Sequence, residues 1–122
     1  LTDPVPVSFA REFQESTIHQ PIPAEFVDRA VGESLKMPAS VWRGLMAGMA
    51  STDAPVALGR HRIPTLVLWG EKDSVFPRAE QDSLVALLGT STLKVYPATG
   101  HALHWERPAE FARDLERFIE GA

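Results

Sequence analysis

Ile63-Pro64-Thr65-Leu66-Val67-Leu68-Trp69-Gly70-Glu71-Lys72-Asp73 is the stretch on which the fold turns. Thr65 to Trp69 is an almost unbroken apolar run, the pattern of a strand buried on both faces of a parallel sheet, and Asp73 follows just past its carboxyl end. Downstream, Pro77 starts a helix whose Leu84, Val85, Leu87 and Leu88 are predicted to pack inward, with Gly89 as its C-terminal stop. Leu93 to Tyr96 reads as a second strand, and Gly100-His101 comes just after it. A last helix begins at Pro108 and carries Phe111, Leu115, Phe118 and Ile119 at helical spacing. Residues 63–122 thus form a βαβα unit of an α/β fold, with two parallel strands and a right-handed crossover.

Upstream the pattern is different. Residues 1–62 contain no convincing strand and read as helices punctuated by prolines at their starts. A first helix is predicted from Val7 to Ile18, where Phe9, Phe13 and Thr17 recur at four and Pro21 and Pro23 then interrupt. A second runs from Ala24 to Met37, with Phe26 or Val27, Ala30 or Val31, Ser34 and Leu35 on its inner face. Pro38 opens a third, in which Val41 or Trp42, Leu45 and Met49 recur at three and four. Ser51-Thr52-Asp53 ends it and caps a short helix through Leu58, and Gly59 with Arg60-His61-Arg62 makes a connector and boundary.

Charge and composition exclude several classes. A formal charge of −4 with scattered basic residues argues against nucleic-acid or anionic-membrane partners. The absence of cysteine removes disulfides, a thiolate nucleophile and thiolate-ligated metals. His19 and His61 lack a second ligand at metal spacing, so no metal site is expected. No apolar run is long enough for a bilayer and no basic-then-apolar leader opens the chain, so the expectation is a soluble, cytoplasmic protein. The chain opens Leu1-Thr2-Asp3-Pro4 without an initiator methionine, which suggests that a first half precedes it.

Reacting groups in open α/β sheets gather at the carboxyl ends of strands, where Asp73 and His101 both lie. Adjacent parallel strands run about 4.8 Å apart, so two loops leaving one edge bring a carboxylate within reach of an imidazole. A carboxylate so placed holds the imidazole in the tautomer whose other nitrogen accepts a proton. Asp73 also has the simpler reading of a cap for the turn after the strand. No Gly-x-Ser-x-Gly occurs in the 122 residues, so acid and base are present without a recognisable nucleophile.

The order of acid before base, Gly70 to Asp73 and then Gly100-His101 with Glu106 and Pro108, closely resembles the last two strands and helices of α/β-hydrolase fold proteins. The resemblance covers residues 63–122 and implies a partial α/β-hydrolase fold, in which residues 1–62 are the helical cap and 63–122 the C-terminal part of the core. It implies a cofactor-independent hydrolase of a small, fairly apolar ester, amide or carbon–carbon substrate, with Asp73 orienting and His101 relaying protons. The nucleophile and the missing strands would come from the N-terminal half of the same hydrolase, or a second copy would complete the sheet, and the chain alone would be inactive. Trp42, Leu45 and Met49 are candidates for an apolar substrate lining, against the plainer reading of helix packing. Glu106 and Pro108 are assigned to the start of the last helix, His104 to a structural or surface role, and Trp69 to the core. Two rival readings are a noncatalytic ligand-binding or signalling use of the fold, and an aspartate-nucleophile haloalkane dehalogenase. An epoxide hydrolase is disfavoured because the sole tyrosine, Tyr96, lies in a strand.

Overall fold

The strand signals translate directly into a sheet. In the computed structural model, which describes residues 1–51 and 62–121, Thr65–Gly70 (β1) pairs in parallel with Ser91–Tyr96 (β2). Val67 lies opposite Leu93 and Trp69 opposite Val95, so both strands end level and release their loops at one edge. Among the described residues β1 has β2 as its single neighbour, and its other edge is unpaired. The crossover is Arg78–Leu87 (α4), preceded by Pro77, whose fixed φ suits a helix start. The leucines and valine predicted to face inward on this segment are half-buried and none is fully buried. Gly89 does not end the helix through a left-handed conformation, since no described glycine has positive φ.

After β2 comes a short helix absent from the sequence expectation, Leu103–Glu106 (α5), and then Pro108–Gly121 (α6) with Pro108 at its first position as predicted. A polar cluster joins β2 to α6. Lys94 and Tyr96 alternate onto one face of β2, where the Tyr96 hydroxyl donates to Asp114 Oδ2 at 2.5 Å and Lys94 pairs with both Asp114 and, at 3.5 Å, Glu110. Burial and this hydrogen bond push the Tyr96 phenol above its usual range, while Lys94 and then Tyr96 hold the Asp114 carboxyl below its own. The predicted stripe of α6 is only partly covered: Phe111 and Phe118 are half-buried, whereas Leu115 and Ile119 are exposed.

The N-terminal residues form three helices among those described: Val7–Ser16 (α1), Ala24–Ser34 (α2) and Ala39–Ser51 (α3). Each matches an expected helix, although α1 and α2 stop two and three residues before Ile18 and Met37, α2 passing into a turn whose Lys36 and Met37 N–H groups bond to Glu33 and Ser34. Their core is Val5, Ala39 and Trp42, with Phe9, Phe13, Leu35 and Met37 packed against it. Both α1 phenylalanines meet the Trp42 ring edge-on, at centroid distances of 5.4 and 4.9 Å. The chain-end Asp3 carboxylate accepts the Ala39 N–H at 2.7 Å and so caps α3.

The described residues divide into two compact units. One comprises Leu1–Ser16 and the stretch from Ile22 through α3; the other comprises Thr17–Pro21 and the stretch from β1 to α6. The stretch Thr17–Pro21, expected within the helical segment of residues 1–62, groups with the sheet unit, to whose loops it is hydrogen-bonded, as detailed below. The short helix expected through Leu58 and the connector at Gly59, Arg60 and His61 lie outside the described residues. Among the described residues no helix is long and apolar enough to cross a membrane.

Candidate active site

Asp73 stands three residues past the end of β1, in a turn that its own side chain closes. Oδ1 accepts the N–H groups of Val75 and Phe76 at 2.8 and 3.0 Å, an arrangement that fixes the carboxylate relative to the strand. Oδ2 is left for a second partner, and His101 Nδ1 lies 2.9 Å from it. The two readings of Asp73, turn cap and partner of the imidazole, therefore both hold, one for each oxygen. Its side chain is only 5% exposed, so the ion faces little competition from water, while that of His101 is 38% exposed and accessible to a reactant. An ionised carboxylate only accepts hydrogen bonds, so Nδ1 carries the proton and Nε2 is the free basic nitrogen. The ring of Phe76 lies against the imidazole, with centroids 5.5 Å apart.

Glycines allow this approach. A Cβ on Gly70 would fall 2.1 Å from the Gly100 carbonyl oxygen and 2.4 Å from that of Thr99, so the end of β1 can pass the histidine loop only without a side chain. Backbone bonds stitch the same two loops together, from Glu71 N–H to Tyr96 O at 2.9 Å and from Lys72 N–H to Thr99 O at 2.8 Å. The Glu71 carboxylate accepts the Ala98 N–H at 2.9 Å, and that bond, followed by the charge of Lys72, holds its carboxyl below the usual range.

Glu106 departs from its expected role. Rather than serving the start of α6, its carboxylate turns back and accepts the N–H of Gly100 at 2.9 Å, together with those of His19 and Gln20 at 3.1 and 2.8 Å. Nothing in the local sequence signalled this, because two of the donors lie 86 and 87 residues away along the chain. His104 lies between aromatic rings, 5.4 Å from Trp105 and 5.9 Å from Phe111. Desolvation, and then the like charge of His101, hold its imidazole below the ordinary range. Trp69 is buried and donates from its indole to Phe76 O at 2.9 Å, in keeping with a core role.

The three residues expected to line a substrate pocket separate. Trp42 is 3% exposed and enclosed by Phe9 and Phe13, so its surface is spent on the helical core. Leu45 and Met49 are exposed. Among the described residues no group of three His, Asp or Glu side chains converges as a metal site.

Residues 10–108 match a family model described as the alpha/beta hydrolase fold. An uncharacterized protein of Mycobacterium tuberculosis is 29% identical over 103 residues, covering 81% of this chain and 28% of that protein. A 2-hydroxy-6-oxo-6-phenylhexa-2,4-dienoate hydrolase of Comamonas testosteroni is 36% identical over 67 residues, covering 55% of this chain and 23% of that one. A solved hydrolase of the same name from Rhodococcus superposes with a TM-score of 0.73 at 26% identity, over 97% of this chain and 45% of its own. The chain thus spans about a quarter of the curated relatives' length, as the 28% and 23% figures show. With the parallel strands, the loop order of Asp73 before His101 and a matching family model over residues 10–108, this chain belongs to the alpha/beta hydrolase fold family.

Proposed function

We propose that the chain supplies the acid and base of a cofactor-independent α/β-fold hydrolase that works through a nucleophile–histidine–aspartate triad. The observation that carries this reading is the 2.9 Å contact between His101 Nδ1 and the sequestered Asp73 Oδ2. In the proposed cycle His101 Nε2 takes the proton of an attacking hydroxyl as the nucleophile–carbonyl bond forms. The imidazolium, stabilised by Asp73, returns that proton to the leaving group. Nε2 then deprotonates the water that attacks the covalent intermediate, and the imidazolium gives that proton to the nucleophile oxygen as its bond to the acyl carbon breaks. The hydroxyl and the oxyanion donors are assigned to core segments beyond these 122 residues, which contain no Gly-x-Ser-x-Gly.

The substrate is proposed to be a small, fairly apolar ester, amide or carbon–carbon compound. Support comes from two relatives named as hydrolases of a phenyl-bearing dienoate. Leu45 and Met49 are offered as apolar contacts for it, and the helices of residues 1–62 as a cap, with the cytoplasm as the proposed compartment. The sheet is proposed to be completed by the N-terminal half of the same hydrolase.

Labelling of the full-length protein with a fluorophosphonate tests the reading. A covalent serine adduct is expected in the native protein, with labelling slowed at least about a thousandfold by His101→Ala, the scale on which triad members act. A folded protein that takes no label would instead be a ligand-binding use of the fold or an aspartate-nucleophile enzyme, and one labelled equally fast without His101 would not use His101 as its base.

A further inference from the structure

The loop that carries His101 is fastened on both flanks. On one side the Ala98 carbonyl accepts the Gln20 side-chain amide at 2.8 Å and the Gly100 N–H donates to Glu106 Oε1 at 2.9 Å. On the other the Ala102 N–H donates to the Thr17 carbonyl at 2.9 Å. The same Glu106 carboxylate holds the fastening segment itself, through the His19 N–H on Oε1 and the Gln20 N–H on Oε2. Three backbone donors thus converge on one carboxylate in the sheet unit.

The fit leaves no slack. A Cβ on Gly100 would lie 2.7 Å from Glu106 Oε1, 2.8 Å from the His19 nitrogen and 2.9 Å from the Thr17 oxygen. Ala98 has a φ of 51°, a left-handed conformation that costs a residue with a side chain, and bonds to Glu71 and Gln20 hold it there. A backbone restrained at residues 98, 100 and 102 leaves the intervening imidazole little freedom beyond its own side-chain torsions.

We propose that Glu106, acting with the strap Thr17–Gln20, is the positioning residue that aims His101 Nδ1 at Asp73. The proposal rests on the reading of His101 as the base, but the aim of the ring can be measured apart from turnover. An ionised carboxylate is required, because it only accepts; a glutamine of the same size would turn one of its own donors toward the converging N–H groups. Misplacement of a reacting group by an ångström costs on the order of a hundredfold in rate.

The test compares Glu106→Ala and Glu106→Gln with the native full-length protein. The His101 Nδ1–H proton resonance, assigned by its loss in His101→Gln, reports the contact with Asp73, and turnover of a small aryl ester reports catalysis. Glu106→Ala is expected to broaden or shift the resonance upfield and to lower kcat about tenfold to a hundredfold, with KM within about twofold. Glu106→Gln should show the same changes to a smaller degree. Should the alanine variant fail to fold, the glutamine variant decides by the same resonance. A folded variant that keeps the native resonance overturns the proposal. Absence of turnover in the native protein would count against the base assignment, and the resonance would still decide the role of Glu106.

Discussion

A single residue shows how burial and charge are balanced around the histidine loop. His104 lies against Trp105 and Phe111 near His101, and both desolvation and the like charge disfavour its protonated form. Its folded-state value lies below the ordinary 6.5, so the unfolded chain binds the proton more readily. The stability this contributes is present above 6.5 and is lost as pH falls through the window between that value and the lower folded one. Glu71 and Asp114 also lose stability on acidification, but only as pH falls below their ordinary values of 4.5 and 3.8. Two separate falls in the urea midpoint are therefore expected on lowering pH, and His104→Gln should abolish the one that begins near 6.5 while leaving the acidic one in place. A variant that retained the upper fall would place its origin elsewhere.

At the scale of elements, the sequence leaves the orientation of α3 open, since Val41 and Trp42 offer two different inner faces. The structure turns Trp42 inward and leaves Val41, Leu45, Met46 and Met49 exposed. Trp42→Ala should therefore cost about 3–5 kcal/mol in urea unfolding, as expected for removal of a large enclosed aromatic. Leu45→Ala and Met49→Ala should cost less than about 0.5 kcal/mol each. Equal losses at all three positions would contradict this orientation of the helix. Period and proline placement made the three N-terminal helices, both strands and the start of α6 legible, because each depends on side chains close in sequence. Asp73 and His101 were legible for the same reason, each marked by a glycine and a strand end. What escaped was the long-range part. The grouping of Thr17–Pro21 with the sheet unit and the turning back of Glu106 depend on donors and acceptors about eighty or more residues apart, which no local pattern encodes.

At the scale of the whole molecule, the sheet carries the unfinished business of the fold. A parallel strand is stable when both its neighbours and both its faces are covered, yet among the described residues β1 is paired on one side only. The same unit also exposes large apolar side chains: Ile63 and Ile119 are each 66% exposed and Leu115 is 40% exposed. A net charge of −4 over 122 residues offers only modest repulsion against association through such surfaces. The 122-residue chain, studied by itself, is therefore expected to self-associate at tens of micromolar, giving a light-scattering mass well above 13.4 kDa. Replacing Leu115 and Ile119 together by lysine should shift that mass toward the monomer without unfolding the helix, because both side chains already face solvent. A sharp monomer across the whole concentration range would show that the open edge and the bare α6 stripe need no cover.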